Sequence, residues 1–276
     1  MNWVNELTRF ASMFERLRGE KKKAIIPFFV LGDPDEETSF EVLKAAIDGG
    51  ADALELGLAF SDPIADGPTV QAADVRALAS GMNTGKALAL VKRVRAYSPK
   101  TPIGLLVYYN LVFQPGVDAF CAAAKEAGVD AVLAADVPVE EITPLKEACV
   151  KHGLDTVMLA ALTTPEERLE RILKVASGYL YVVSVLGVTG ARKDVQDETL
   201  ELIVRLRKRT QLPLVVGFGI STPQQARRVC DAGADGAIVG SALIKALQEH
   251  AGDAEARAAE AKRFVAGLKN GLRPAE

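Results

Sequence analysis

Histidine, cysteine and tryptophan are scarce in this 276-residue chain, with two, three and one residues respectively. His152 lies just before Gly153 at a helix end and His250 near the end of another helical run, so both read as structural and imidazole is a poor candidate for the chemistry. Cys121, Cys149 and Cys230 stand far apart, each inside a helix-like pattern. They form neither a disulfide framework nor a zinc-binding spacing and read as core thiols. No apolar run approaches the ~18 residues of a spanning helix, and the chain starts with a polar, amphipathic stretch rather than a basic-then-apolar leader. A cytoplasmic location is expected. Net charge is −3, which leaves no electrostatic footprint for nucleic acid; Lys21-Lys22-Lys23 reads as a solvated turn before a strand.

Against these absences stands a 49% hydrophobic content, enough for a large core, in a length that fits two ordinary domains or one barrel. From about residue 24 to 250, short β-branched or apolar runs alternate with longer helical patterns. Eight strands are expected: Ala24–Val30, Ala53–Leu56, Ile103–Tyr108, Ala131–Ala134, Thr156–Leu159, Leu180–Val183, Leu214–Val216 and Ala237–Val239. Each precedes a helix-compatible segment, the signature of βαβ units and a parallel sheet. Gly50, Gly128, Gly153, Gly178 and Gly233 close helical stretches, as left-handed residues do before a strand. Gly50-Ala51-Asp52-Ala53, Gly128-Val129-Asp130-Ala131 and Gly233-Ala234-Asp235-Gly236 repeat one helix-to-strand connection. With no linker or composition shift, the pattern predicts an α/β fold of one domain over 1–276, a closed (β/α)8 TIM barrel rather than an open doubly wound sheet. Residues 1–20 hold a preceding helix (Val4 to Arg18, with Val4, Leu7, Phe10, Ala11, Phe14 and Leu17 on one face) that caps the barrel's bottom. The barrel spans 24–250, and a last helix 254–271 closes the chain.

Function in such a barrel lies at the C-terminal ends of the strands. Glu55 sits on the second strand in Ala53-Leu54-Glu55-Leu56-Gly57, where alternation sends it to the face opposite Leu54 and Leu56. A carboxylate in an apolar strand calls for a reason. The following loop, Phe60 to Pro68, carries Asp62 and Asp66 with two prolines and a glycine that restrict its backbone. Glu55 and Asp66 together are an acid/base pair by this reading; a buried ion pair and a turn cap are the alternatives. The connections 57–68 and 184–197 are long for a barrel, as lids over a mouth would be. Gly217-Phe218-Gly219 after the seventh strand and Gly240-Ser241 opening a helix after the eighth predict a phosphate cradle, with Gly187-Val188-Thr189-Gly190 adding donors.

These stretches resemble the tryptophan synthase alpha subunit family. The likeness runs through Pro27-Phe28, Leu31-Gly32-Asp33-Pro34, Asp52–Gly57, Phe60–Pro68, Ile103–Leu106, Tyr108, Asn110–Phe113, Ala135–Glu141, Gly187–Gly190, Gly217–Ser221 and Gly240-Ser241. The Ser61-Asp62-Pro63 to Asp66-Gly67-Pro68 segment is its most specific part. The resemblance implies a lyase that splits indole-3-glycerol phosphate by retro-aldol cleavage into indole and glyceraldehyde 3-phosphate, with no metal and no cofactor of its own. It implies that Glu55 moves protons and that Asp66 holds the indole N–H and stabilises the charge of the tautomer. That division agrees with the residues, since protonating an aromatic carbon requires a carboxyl shielded from water and a charge stabiliser must stay ionised. Tyr181 matches a tyrosine near the reacting centre and Thr189 a residue that orients the loop Asp. Phe28, Leu106, Tyr108 and Phe218 match pocket or phosphate-adjacent positions, beside the cradle residues Gly190, Gly219, Gly240 and Ser241. The partner implied is a pyridoxal-phosphate beta subunit in an alpha2beta2 complex, with Asp62, Pro63, Asn110 and Pro138 in the contact region.

Three positions depart from the family pattern. Ala59 and Leu162 stand where Pro is common, and Tyr109 where a smaller residue is. Losing a Pro beside the catalytic loop predicts a less preorganised loop. A non-catalytic barrel that activates a partner, a stand-alone indole-releasing lyase, and another phosphate-binding barrel such as an epimerase or cyclase are the competing readings. A metal epimerase would use His ligands at strand ends, and none occurs there.

Overall fold

Strand pairing in the computed structural model, which describes residues 8–183, 195, 197–217 and 219–272, is parallel throughout. The strands are β1 (Ala24–Val30), β2 (Leu54–Gly57), β3 (Ile103–Val107), β4 (Ala131–Ala134), β5 (Asp155–Thr156), β6 (Met158–Ala161), β7 (Leu180–Val183), β8 (Leu214–Gly217) and β9 (Gly236–Val239). Their order is β5-β4-β3-β2-β1-β9-β8-β7-β6. The fifth expected strand, Thr156–Leu159, is corrected to two pieces, β5 and β6, separated at Val157. β5 pairs only with β4 and β6 only with β7, so the two ends of the sheet are joined by the chain itself and the barrel closes. Each half of the strand serves one neighbour, which an apolar pattern running unbroken through Val157 does not reveal. The other strands fall within one residue of expectation.

The repeated Gly-x-Asp connection has a mechanical purpose. Asp52 Oδ2 accepts the Ile25 N–H at 2.8 Å, Asp130 Oδ2 the Ile103 N–H at 2.9 Å, and Asp235 Oδ2 the Leu214 N–H at 2.9 Å. Each aspartate satisfies an amide at the start of the neighbouring strand, the first of β3 and β8 and the second of β1. A basic side chain neutralises each one: Lys269 at Asp52, Arg95 and Arg9 at Asp130, and Arg207 at Asp235. The five helix-closing glycines all have positive φ, from 66° at Gly153 to 117° at Gly233.

The first helix spans Arg9–Gly19, with the Thr8 side chain accepting the Ala11 N–H as its cap. Val4 and Leu7 of its expected apolar face lie outside the described residues. Phe10, Met13, Phe14 and Leu17 are buried, and the Phe10 ring lies 5.2 Å from that of Tyr179 at the entrance to β7, so the helix covers the N-terminal end of the barrel. Helix Ala254–Gly271 packs along helix Glu36–Asp48 and delivers Lys269 to Asp52. All three cysteines are buried, and His152 Nε2 lies 2.9 Å from Asp118 at a helix end, a structural contact. Among the described residues no helix is long and apolar enough to cross a membrane.

Candidate active site

Register brings Phe28 of β1, Glu55 of β2 and Gly104 of β3 side by side. A Cβ on Gly104 would meet the Phe10 ring and the Tyr179 hydroxyl at 3.6 Å, ordinary contact distance. The Tyr179 hydroxyl donates to Glu55 Oε1 at 3.1 Å from the bottom side of the barrel. Glu55 is 2% exposed, and burial pushes its carboxyl up to about 8, opposed by the Tyr179 hydrogen bond and assisted by the charge of Asp66. At pH 7 most copies therefore carry the proton.

Asp66 closes the loop 58–67 and is 8% exposed. Its Oδ2 accepts the Tyr108 hydroxyl at 2.7 Å, while that hydroxyl accepts the Ala65 N–H at 3.0 Å. Burial pushes Asp66 above the ordinary carboxylate range and the Tyr108 hydrogen bond works against it. The Phe60 ring stacks on Tyr108 at 5.2 Å, so one tyrosine holds both the Asp66 carboxyl and the loop that carries it. Tyr181 is buried on β7, and that burial, with Glu55 and Asp66 nearby, holds its phenol well above the usual pKa. A Cβ on Gly217 would overlap the Tyr181 hydroxyl, so only glycine at the end of β8 lets this tyrosine lie where it does.

Phe28 lines the same mouth, its ring 2.9 Å from where a Gly57 Cβ would stand and 3.0 Å from that of Gly240. Leu106 and Tyr108 are buried at the end of β3. Gly219 has a φ of 76° and is exposed. Helix Ser241–Gln248 begins with no side-chain cap, leaving its first N–H groups open at the mouth beside exposed Ser241. Helix Pro223–Asp231 differs, because Thr222 and Gln225 close its N-terminus with a capping box. The described part of the cradle is thus built around Gly240 and Ser241. Thr189, Gly190 and Phe218 lie outside the described residues, as does nearly all of the connection 184–197.

The sequence reading passed over Tyr179. Its signal was present, since Tyr179 and Tyr181 stand two apart and alternation sends both inward. Asp62 and Pro138 are exposed and Pro63 is half-buried on the loops after β2 and β4, and exposed Asn110 lies on the short helix Tyr109–Phe113 after β3. These segments also expose two large apolar side chains, Ile64 at 78% and Phe113 at 63%. Of the departures, Ala59 and Leu162 pack against the core and Tyr109 donates its N–H to Asp136 at 2.8 Å. Among the described residues no cluster of three or more His, Cys, Asp or Glu could hold a metal.

A family model described as "Tryptophan synthase alpha chain" matches residues 14–273. The chain is similar to the tryptophan synthase alpha chain of Methanothermobacter thermautotrophicus, at 52% identity over 89% of this chain and 90% of the relative. It is similar to that of Methanoregula boonei at 49% identity, covering 95% and 97%. Among solved structures it resembles the tryptophan synthase subunit alpha of Legionella pneumophila, with TM-score 0.88, 34% identity and coverage of 97% and 99%. It also resembles a chain of Mycobacterium tuberculosis tryptophan synthase, with TM-score 0.89, 31% identity and coverage of 98% and 100%.

Proposed function

This chain belongs to the tryptophan synthase alpha chain family, and from that premise we propose how Glu55, Asp66 and Tyr181 divide its reaction. The enzyme is a carbon–carbon lyase that cleaves indole-3-glycerol phosphate by a retro-aldol reaction to indole and glyceraldehyde 3-phosphate, as the alpha subunit in tryptophan biosynthesis. The bond to be broken joins indole carbon 3 to the carbinol carbon of the glycerol chain. Protonated Glu55 adds its proton to carbon 3, which moves positive charge onto the ring nitrogen. Asp66 accepts the indole N–H and stabilises that charge as an anion. The Glu55 carboxylate then takes the proton of the side-chain hydroxyl. As the aldehyde forms, the carbon–carbon bond breaks and its electron pair restores the aromatic ring, so the proton account of Glu55 closes within one turnover.

The observation that carries this assignment is the buried Glu55 carboxyl, raised to about 8 and held on one oxygen by Tyr179, next to an anion whose own hydrogen bond comes from Tyr108. Phe28, Leu106 and Tyr108 frame the indole. The open N-terminus of helix Ser241–Gln248, with Gly219, Gly240 and Ser241, takes the phosphate. Tyr181, wedged over Gly217, fixes the space between the carboxylates. No cofactor is assigned to this chain; pyridoxal phosphate belongs to the beta subunit proposed to dock on Asp62, Pro63, Asn110 and Pro138. Exposed Ile64 and Phe113 support that docking face, because large apolar side chains rimmed by polar loops are the anchors that interfaces use.

The test is the release of indole from indole-3-glycerol phosphate, measured with and without a beta subunit. Glu55→Gln is expected to keep substrate binding and lose at least ~100-fold in turnover, the scale of an acid/base residue. Near-normal turnover in that variant would remove Glu55 from its role, and bound substrate with no indole in either assay would make the chain a non-catalytic activator.

A further inference from the structure

Helix Pro68–Ala79 begins two residues after Asp66, so its first turn helps to set where that carboxyl stands. Gly67, at the cap position, has no side chain with which to bond the first N–H groups of the helix. Pro68 has no N–H at the next position and so needs no partner there. Gln71, one turn in, ties the chain entering the helix to the helix itself. Its backbone N–H donates to Gly67 O at 3.0 Å, an ordinary helix bond, while its side-chain Nε2 reaches further back and donates to Asp66 O at 2.8 Å. Helical side chains lean towards the N-terminus, which gives this glutamine its reach past the helix end. Two successive carbonyls, of Asp66 and Gly67, are thereby held by one residue.

Asp66 is held from other directions as well. Its N–H donates to Pro63 O at 3.0 Å within the loop, and its Oδ2 accepts the Tyr108 hydroxyl at 2.7 Å at the end of β3. Pro63 ties Asp66 to its own loop, Tyr108 to the barrel, and Gln71 to the helix that follows. With the N–H and the C=O of Asp66 both bonded, rotation of its backbone is restricted, and with it the direction of the carboxyl. Gln71 is exposed, yet its bond is partly buried and ends on a residue that is 8% exposed. We propose that Gln71 is a positioning residue for the reaction: by holding the Asp66 carbonyl it sets the direction in which the Asp66 carboxyl meets the ring nitrogen. The bond counts most in the transition state, because charge reaches that nitrogen only as carbon 3 is protonated, and a carboxylate already in place stabilises it without reorganising. The inference rests on the role proposed for Asp66 and adds the helix that holds it.

Gln71→Met keeps the length of the side chain and removes the donor without adding charge, whereas Gln71→Ala removes donor and reach together. In steady-state indole release both are expected to lower kcat by ~5- to 10-fold, the worth of one hydrogen bond, with KM changed by less than about 2-fold. Amide hydrogen exchange on the free protein gives a second reading that needs no substrate. In Gln71→Met, exchange at Asp66 speeds up by ~5-fold, while Ala73 and Ala77 inside the helix keep their wild-type rates. Unchanged kcat, a rise in KM without a fall in kcat, or unchanged exchange at Asp66 overturns the proposal. Equal acceleration at Asp66, Ala73 and Ala77 also overturns it, since Gln71 would then serve the helix rather than Asp66. Should the wild type release no indole with or without a beta subunit, the functional reading of Asp66 fails. Exchange then decides alone whether Gln71 holds Asp66, with acceleration confined to Asp66 supporting the proposal and its absence overturning it.

Discussion

Glu55 works by being hard to ionise. A carboxyl raised from 4.5 to about 8 binds its proton more tightly in the folded chain than in the unfolded one, so its contribution to stability is complete below its unfolded value and is lost as pH rises through about 8. Thermal unfolding is accordingly expected at lower temperature at pH 8.5 than at pH 5, and the difference shrinks in Glu55→Gln, as scanning calorimetry across that range measures. Tyr179 tests the same residue from the other side. Its hydrogen bond favours the Glu55 anion, so Tyr179→Phe raises the Glu55 value further and carries the Glu55 limb of the pH–rate profile to higher pH. A limb that falls or stays in place would show that this bond does not tune the acid. Glu55 itself was legible in the sequence because a charged residue breaks an apolar strand. Tyr179 was not, because tyrosine is an ordinary neighbour of such a strand, and only the closed barrel brings its hydroxyl to Glu55.

The elements matter through their ends. Helix Ser241–Gln248 offers uncapped N–H groups and the positive end of its dipole where the phosphate is placed. Ser241→Asp puts a carboxylate there and caps the helix, so KM is expected to rise by roughly 10-fold or more with little change in kcat, since the lost attraction is the same in ground and transition states. An equal fall in kcat would mean that the phosphate helps align the carbon–carbon bond as well. Glycines at Gly217, Gly219 and Gly240 are what led from the sequence to a proposed cradle. The contrast with helix Pro223–Asp231 was invisible, because Thr222 and Gln225 act as a capping box only once the helix start is fixed. The break of the fifth strand at Val157 escaped for a related reason: hydrogen-bond partners change there without a change in side-chain pattern.

At the scale of the whole molecule, the barrel is tied strand by strand through Asp52, Asp130 and Asp235. Asp130 is buried between Arg95 and Arg9 and also binds the Ile103 N–H. Asp130→Ala takes the carboxylate from half-buried Arg95 and leaves the buried Ile103 N–H without its acceptor, and is expected to cost about 1–3 kcal/mol in urea unfolding; a loss under ~0.5 kcal/mol would show that water replaces it. The repeated Gly-x-Asp spacing let the sequence determine that one connection is used three times, that the strands are parallel and alternate with helices, and that Glu55 and Asp66 belong to one end of them. Those properties depend on local pattern, which neighbours in the chain suffice to specify. Tertiary structure alone decided that Glu55 is held by Tyr179, that Asp66 is held by Tyr108, and that Tyr181 fits only over Gly217. Burial and charge act through space, and the distances that set them exist only after barrel closure brings β2, β3, β7 and β8 around one mouth.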